Sequence, residues 1–249
     1  MVDIDEEKNT VSSESPDQQE KTVIRLPEPL WNHGHVLLVL CIGVLCSVVP
    51  MIFKDSASSQ LGLMLTSTLA QDAAFLLAPC YIVLKKYKQP AIMLGMFKAP
   101  IHKILILGIV GGLLCWLANN LTAGLVEKLF PGMISTTQAS LNMFSLATNS
   151  FELVLLGILF VLIAPAAEEM IFRAFPYPPF VLRAGKGGAV VLTALVFAVM
   201  HFNIYTFLPL FIGGLGLGLL YSKFHNLWVN IVAHMSWNTL VFILQLSQM

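Results

Sequence analysis

Apolar residues in this chain fall in long unbroken runs, and the polar positions gather between them. Runs long enough to cross a hydrocarbon core, about 20 residues each, lie near 36–53, 61–84, 104–126, 151–174, 188–204, 207–222 and 227–246. The pattern predicts an all-α, polytopic membrane bundle of seven transmembrane helices. Pro176, Pro178 and Pro179 interrupt the stretch 175–187. That stretch reads as a short interfacial helix or as part of an eighth span. Gly108-x-x-x-Gly112 and Gly214-x-x-x-Gly218 place small residues on one helix face and read as close-packing sites.

Composition agrees. Of the 249 residues 57% are hydrophobic and 11% charged, against about 25% charged in a soluble domain. Charge is unevenly spread. Eight of the 14 acidic residues precede position 30, and the segment 1–29 is polar and rich in Ser, Glu, Asp and Gln. It reads as a disordered acidic tail, with none of the basic start and short apolar core of a signal peptide. The expected division is therefore a tail over 1–29, N-terminal transmembrane helices over 30–149 and a C-terminal transmembrane region over 150–249. The loop 85–103 carries Lys85, Lys86, Lys88, Lys98 and Lys103, and Arg183, Lys186 and Lys223 mark later loops. By the positive-inside rule these loops and the N-terminal tail face the cytoplasm. Cys41, Cys46, Cys80 and Cys115 all lie in apolar runs and read as small hydrophobes. No basic patch on a soluble face suggests nucleic acid.

Ionisable groups inside a span are costly and mark function by default. Three sets stand out: Glu168, Glu169 and Arg173 after Pro165; His201, four residues after Phe197; and Asn230, His234 and Asn238 on the last span. Asp72, Asn119 and Asn120 are weaker cases. Glu169 and Arg173 share a helix face at i, i+4 with the acid first. Glu168 points about 100° away and is free for another neighbour. Asn230, His234 and Asn238 form one stripe. A glutamate can take a proton from water attacking a peptide carbonyl; one histidine can orient that water, and the other histidine with an Asn amide can donate to the oxyanion. One Glu and two His also match the ligand count of an open catalytic zinc site. A transporter or a non-catalytic immunity or scaffold protein would use the same buried charges. The depths need reconciling. Glu168 and His234 lie roughly 10 Å in from one membrane face, whereas His201, 13 residues into a span starting at 188, lies roughly 20 Å in. A shared site then needs a later-starting or tilted fifth helix, or a dipping 175–187 loop.

The segments Glu168-Glu169-Met170-Ile171-Phe172-Arg173, Phe197-Ala198-Val199-Met200-His201 and His234-Met235-Ser236-Trp237-Asn238 resemble the motifs of the CAAX prenyl protease and bacteriocin-processing family, also called CPBP or Abi proteins. The resemblance covers roughly 150–240. It implies an intramembrane endopeptidase acting on a membrane-associated protein or peptide, prenylated CAAX-type substrates included, in the plasma membrane of a prokaryote. By that resemblance Glu168 is the base, helped by His201. His234 and Asn238 stabilise the oxyanion, and Glu169 with Arg173 holds the site together. The resemblance leaves the metal open. The metal-free form is favoured, because no second carboxylate or cysteine is placed to complete a zinc shell.

Overall fold

The computed structural model describes residues 27–54, 59–131 and 144–248. The tail expected over 1–29 thus lies almost wholly outside the described residues. Among the described residues seven helices are long and apolar enough to cross a membrane: α1 His33–Ile52, α2 Gln60–Lys86, α3 Ile101–Leu129, α4 Ser150–Ala174, α5 Tyr177–Val199, α6 Ile204–Phe224 and α7 Leu227–Leu246. The protein is an all-helical, multi-pass integral membrane protein. Large apolar side chains such as Leu45, Leu114, Phe151 and Leu219 point outward, as lipid-facing positions must.

Side-chain caps set several helix starts. Asn203 accepts from the backbone of Tyr205 and Thr206, and Asn226 from Trp228 and Val229, meeting amides that have no partner in the first turn. The bundle pairs α1 with α2 and α5 with α6, while α3 packs along both α6 and α7. Helix α4 lies between α2 and α7 and carries the glutamate pair. The glycine repeats do pack closely. A side chain on Gly112 would strike the Ala233 carbonyl of α7, one on Gly214 or Gly218 would crowd Phe197 or Val190 of α5, and one on Gly213, beside the second repeat, would strike the Trp237 ring.

The fifth helix differs from expectation. It begins at Tyr177 rather than 188, so the proline stretch 175–187 is part of it and not an eighth span. Gly185, at φ 69°, breaks its axis, a backbone state open to glycine at little cost. The helix ends at Val199, so His201 sits in the turn between α5 and α6 and not on the fifth span. Phe202 closes that turn at φ 49°.

The two ends of the bundle differ. At one end the connections are tied down: Leu30 N donates to Gln89 Oε1 (3.0 Å), Asn226 Nδ2 to the Phe97 carbonyl (3.2 Å) and Leu227 N to the Gly95 carbonyl (2.8 Å). Lys85, Lys86, Lys88, Lys98, Lys103, Arg183, Lys186 and Lys223 lie at this end. The opposite end holds the turn 200–203 and the C-terminus of α7.

Candidate active site

Helix α4 is not uniform. It widens into π-helical turns at Leu159–Ile163 and Met170–Ala174, on either side of Ala164–Glu169. Such turns recur at functional sites. Here the first has an identifiable cause and consequence. The Ala164 amide reaches back five residues to the Leu159 carbonyl. The next amide in that register would be residue 165, which is proline and has no N–H. The Phe160 carbonyl is left without its helical donor, and Asn238 Nδ2 on α7 fills the gap at 2.9 Å.

Glu169 is fully buried and saturated with donors. Arg173 Nη1 donates to its Oε1 at 2.9 Å, and Asn230 Nδ2 to its Oε2 at 3.1 Å. His234 Nδ1 also lies 2.8 Å from Oε1. A carboxylate accepting two other donors is an acceptor here too, so His234 carries its proton on Nδ1 toward Glu169. Arg173, also fully buried, extends Nη2 toward the Gly214 carbonyl at 3.4 Å and stacks its guanidinium 4.5 Å from the Phe197 ring centre. This charge pair therefore has hydrogen bonds and an aromatic face in place of water, as a buried ion pair requires.

Glu168 is the other kind of carboxylate. Its side chain keeps 23% of its exposure, and His234 Nε2 lies 3.6 Å from its Oε2. One imidazole thus stands between the two glutamates. On the other side, His201 Nδ1 lies 2.8 Å from the Phe197 carbonyl, one of the carbonyls left open at the end of α5. A carbonyl only accepts, so Nδ1 donates and Nε2 remains for a ligand. The Phe197 ring touches both imidazoles, at 4.7 Å from His201 and 5.8 Å from His234 between ring centres.

Glu168, His201, His234 and Asn238 all line one cavity of about 520 Å³, within the ordinary size range for ligand sites. Phe160, Phe197, Trp116 and Trp237 supply much of the wall. The fifth helix starts earlier than 188, not later, yet His201 lines the same cavity as Glu168, with the Phe197 ring between His201 and His234. Among the described residues no three His, Cys, Asp or Glu side chains are grouped to hold a metal ion.

Residues 150–240 match the family model described as type II CAAX prenyl endopeptidase Rce1-like. Over that segment, which holds the glutamate pair and both histidines, the chain is similar to the CAAX protease family. The family so matched is one of proteases. No curated protein and no solved structure matches the chain. The matched segment begins at α4 and ends within α7, so it contains Glu168, Glu169, Arg173, His201, His234 and Asn238, while Trp116 of the cavity wall lies outside it.

Two residues singled out in the sequence take places that the sequence did not assign. Asn230 belongs to the Glu169 shell rather than to the cavity; its i, i+4 spacing from His234 was the available signal. Asp72 on α2 is 4% exposed, has no hydrogen bond to Oδ2, and lies within electrostatic range of Glu168. A lone aspartate in an apolar run was its only sign.

Proposed function

We propose that the protein is an intramembrane endopeptidase in which Glu168 activates the attacking water. The observation that carries this reading is the asymmetry of the glutamate pair. Glu169 is consumed by three donors, while Glu168 reaches the cavity with one loose contact.

The chemistry follows from the free atoms. Water held between Glu168 and His201 Nε2 gives a proton to the carboxylate as its oxygen adds to the peptide carbonyl carbon. The oxyanion that forms receives the second amide hydrogen of Asn238, whose first is fixed on Phe160, and a proton donor at His234 Nε2 when both ring nitrogens are protonated. Collapse breaks the C–N bond, and Glu168 returns its proton to the leaving amine. General base action of this kind contributes about 10²–10⁴-fold, and one oxyanion donor about 10²–10³-fold. No step requires a metal.

The substrate class is a polypeptide held at the membrane, with a prenylated CAAX-type peptide as the natural probe. The N-terminal tail and the basic loops lie on the cytoplasmic side, and a prokaryotic plasma membrane suits this charge distribution. Residues 30–149 frame the catalytic region 150–249.

The test is cleavage of a farnesylated CAAX peptide, and of an unprenylated membrane-anchored peptide, by purified protein in lipid. Wild type, Glu168→Gln and His201→Ala are compared. Loss of cleavage in both variants, with unchanged thermal unfolding, is the expected result. Full activity in either variant removes that residue from the proposed role. Absence of hydrolysis in the wild type with both probes favours a non-catalytic or transport protein.

A further inference from the structure

We propose that Asp72 on α2 is a positioning residue for Glu168: a buried, neutral carboxylic acid whose hydroxyl donates to the Glu168 carboxylate and holds it ionised and aimed at the attacking water. The role rests on Glu168 being the base of the peptidase reading above.

Packing sets Asp72 opposite Glu168. Helices α2 and α4 lie side by side. Both end at the lysine-rich face, where Leu30 N donates to Gln89 just past α2 and Trp31 Nε1 to the Phe175 carbonyl just past α4. Two contacts fix their register. Toward the other face Leu61 and Leu156 share one buried cluster. Toward the basic face the rings of Phe75 and Phe172 meet edge to face, with centres 6.1 Å apart. Asp72 is three residues before Phe75, and Glu168 is four before Phe172. Those spacings keep each carboxyl on the same helix face as its ring. They also put the carboxyls about 4.5 Å and about 6 Å below the ring contact, which is one depth. Counted up from Leu61 and Leu156 the rises are about 17 Å and about 18 Å, and the answer is the same. Asp72 and Glu168 are within electrostatic range of each other.

The surroundings decide which carboxyl carries the charge. Asp72 is 4% exposed and does not line the cavity. Among the described residues it makes no ion pair, and its Oδ2 has no hydrogen-bond partner. The cation of α4, Arg173, is held by Glu169. Helix α1, also packed on α2, carries no charged side chain from Val36 to Ile52. An ionised Asp72 would be a buried charge without compensation, beside a second carboxylate. Such a pair keeps one proton. Glu168 is the wetter of the two and faces His234 Nε2, so the proton stays on Asp72.

A neutral acid has one O–H to give, and Glu168 has lone pairs to receive it. The two carboxyls share no hydrogen bond here. Catalytic hydrogen bonds are often long in a free enzyme and tighten with substrate; rotation of the Asp72 side chain, or one water, closes this one. Packing does not account for the acid. A leucine would fill the same apolar surroundings without an unpartnered oxygen, which is destabilising when buried.

The experiment compares full-length wild type, Asp72→Leu and Asp72→Asn in lipid. Three quantities are read: kcat and KM on the farnesylated CAAX peptide, the unfolding temperature, and the infrared C=O stretch of a protonated carboxyl at neutral pH. Asp72→Leu should unfold no earlier than wild type while kcat falls by about 10–10²-fold and KM stays within about twofold. Asp72→Asn, whose amide can donate in place of the hydroxyl, should recover most of the lost kcat. The wild-type infrared band should be missing from Asp72→Asn. A kcat in Asp72→Leu equal to that of wild type overturns the proposal. So does a loss of kcat that follows a lowered unfolding temperature and is not recovered by Asp72→Asn. An infrared spectrum unchanged by Asp72→Asn overturns the neutral acid. The infrared arm needs no turnover, so a wild type that shows the Asp72 band but cleaves nothing sinks the peptidase reading, and with it the positioning role, while the neutral acid stands.

Discussion

His234 and Glu169 meet across two helices, with Nδ1 of the imidazole 2.8 Å from Oε1 of the carboxylate. The contact joins α7 to α4, sets which ring nitrogen carries the proton, and leaves Nε2 3.6 Å from Glu168. A structural carboxylate and a reactive one are thus connected through a single ring.

The Glu169–Arg173 pair should behave as an all-or-none element. Glu169→Ala alone strands a fully buried guanidinium, and Arg173→Ala strands a carboxylate. Either should cost about 3–5 kcal/mol of stability, the usual result of removing one partner of a buried pair. Replacing both, as Glu169→Leu with Arg173→Met, should recover much of that loss while leaving His234 without its Nδ1 acceptor. Thermal unfolding in detergent, with cleavage measured in parallel, separates the two effects. Equal stability in the single and double variants would contradict the pairing.

Glu168→Gln should do the reverse. Its partial exposure and one loose contact give little to lose in folding, so the unfolding midpoint should stay within about 0.5 kcal/mol of wild type. Cleavage should fall by at least about 10²-fold.

Asn238 should show both kinds of effect, and the shape of the substitution decides which. Asn238→Leu leaves the Phe160 carbonyl without its donor, costing about 1–3 kcal/mol. If its other amide hydrogen meets the oxyanion, kcat falls by about 10²–10³. Pro165→Ala restores a backbone donor at the proline's own position. In an Asn238→Leu background it should return stability without returning activity. Recovery of both would assign Asn238 a purely structural role.

Gly213→Ala should destabilise the protein by about 1–3 kcal/mol, because the added carbon meets the Trp237 ring that packs beside His234. A paired Trp237→Leu change should relieve the clash, which unfolding of the double variant would show.

At the basic end, His225 follows α6 at φ 48°. Burial and the Lys186 charge hold its imidazole below the ordinary histidine range. The unfolded chain then binds the proton more readily, so stability is full above pH about 6.5 and declines as pH falls from there toward the lowered folded value. Unfolding midpoints between pH 8 and pH 5 should show this decline. His225→Asn, which tolerates the same backbone state, should flatten it.

Much of this architecture was readable from the residue order. Seven apolar runs specify seven helices because crossing hydrocarbon leaves few other ways to satisfy the backbone. The Glu169–Arg173 pair was readable because i, i+4 spacing is local to one helix. Local spacing also separated Glu168 from it. The end of α5 was misplaced, since hydropathy runs on through Met200 while the chain turns there and Asn203 begins the next helix. What only tertiary structure decided lies between helices. That Asn230 and His234 both reach Glu169, and that Asn238 answers a carbonyl freed by Pro165, depend on how α4 and α7 cross. Those contacts join positions some 60 to 80 apart in the chain. No periodicity encodes such a crossing; it is set by close packing at glycines such as Gly112 and Gly213 and by the need to pair every buried charge.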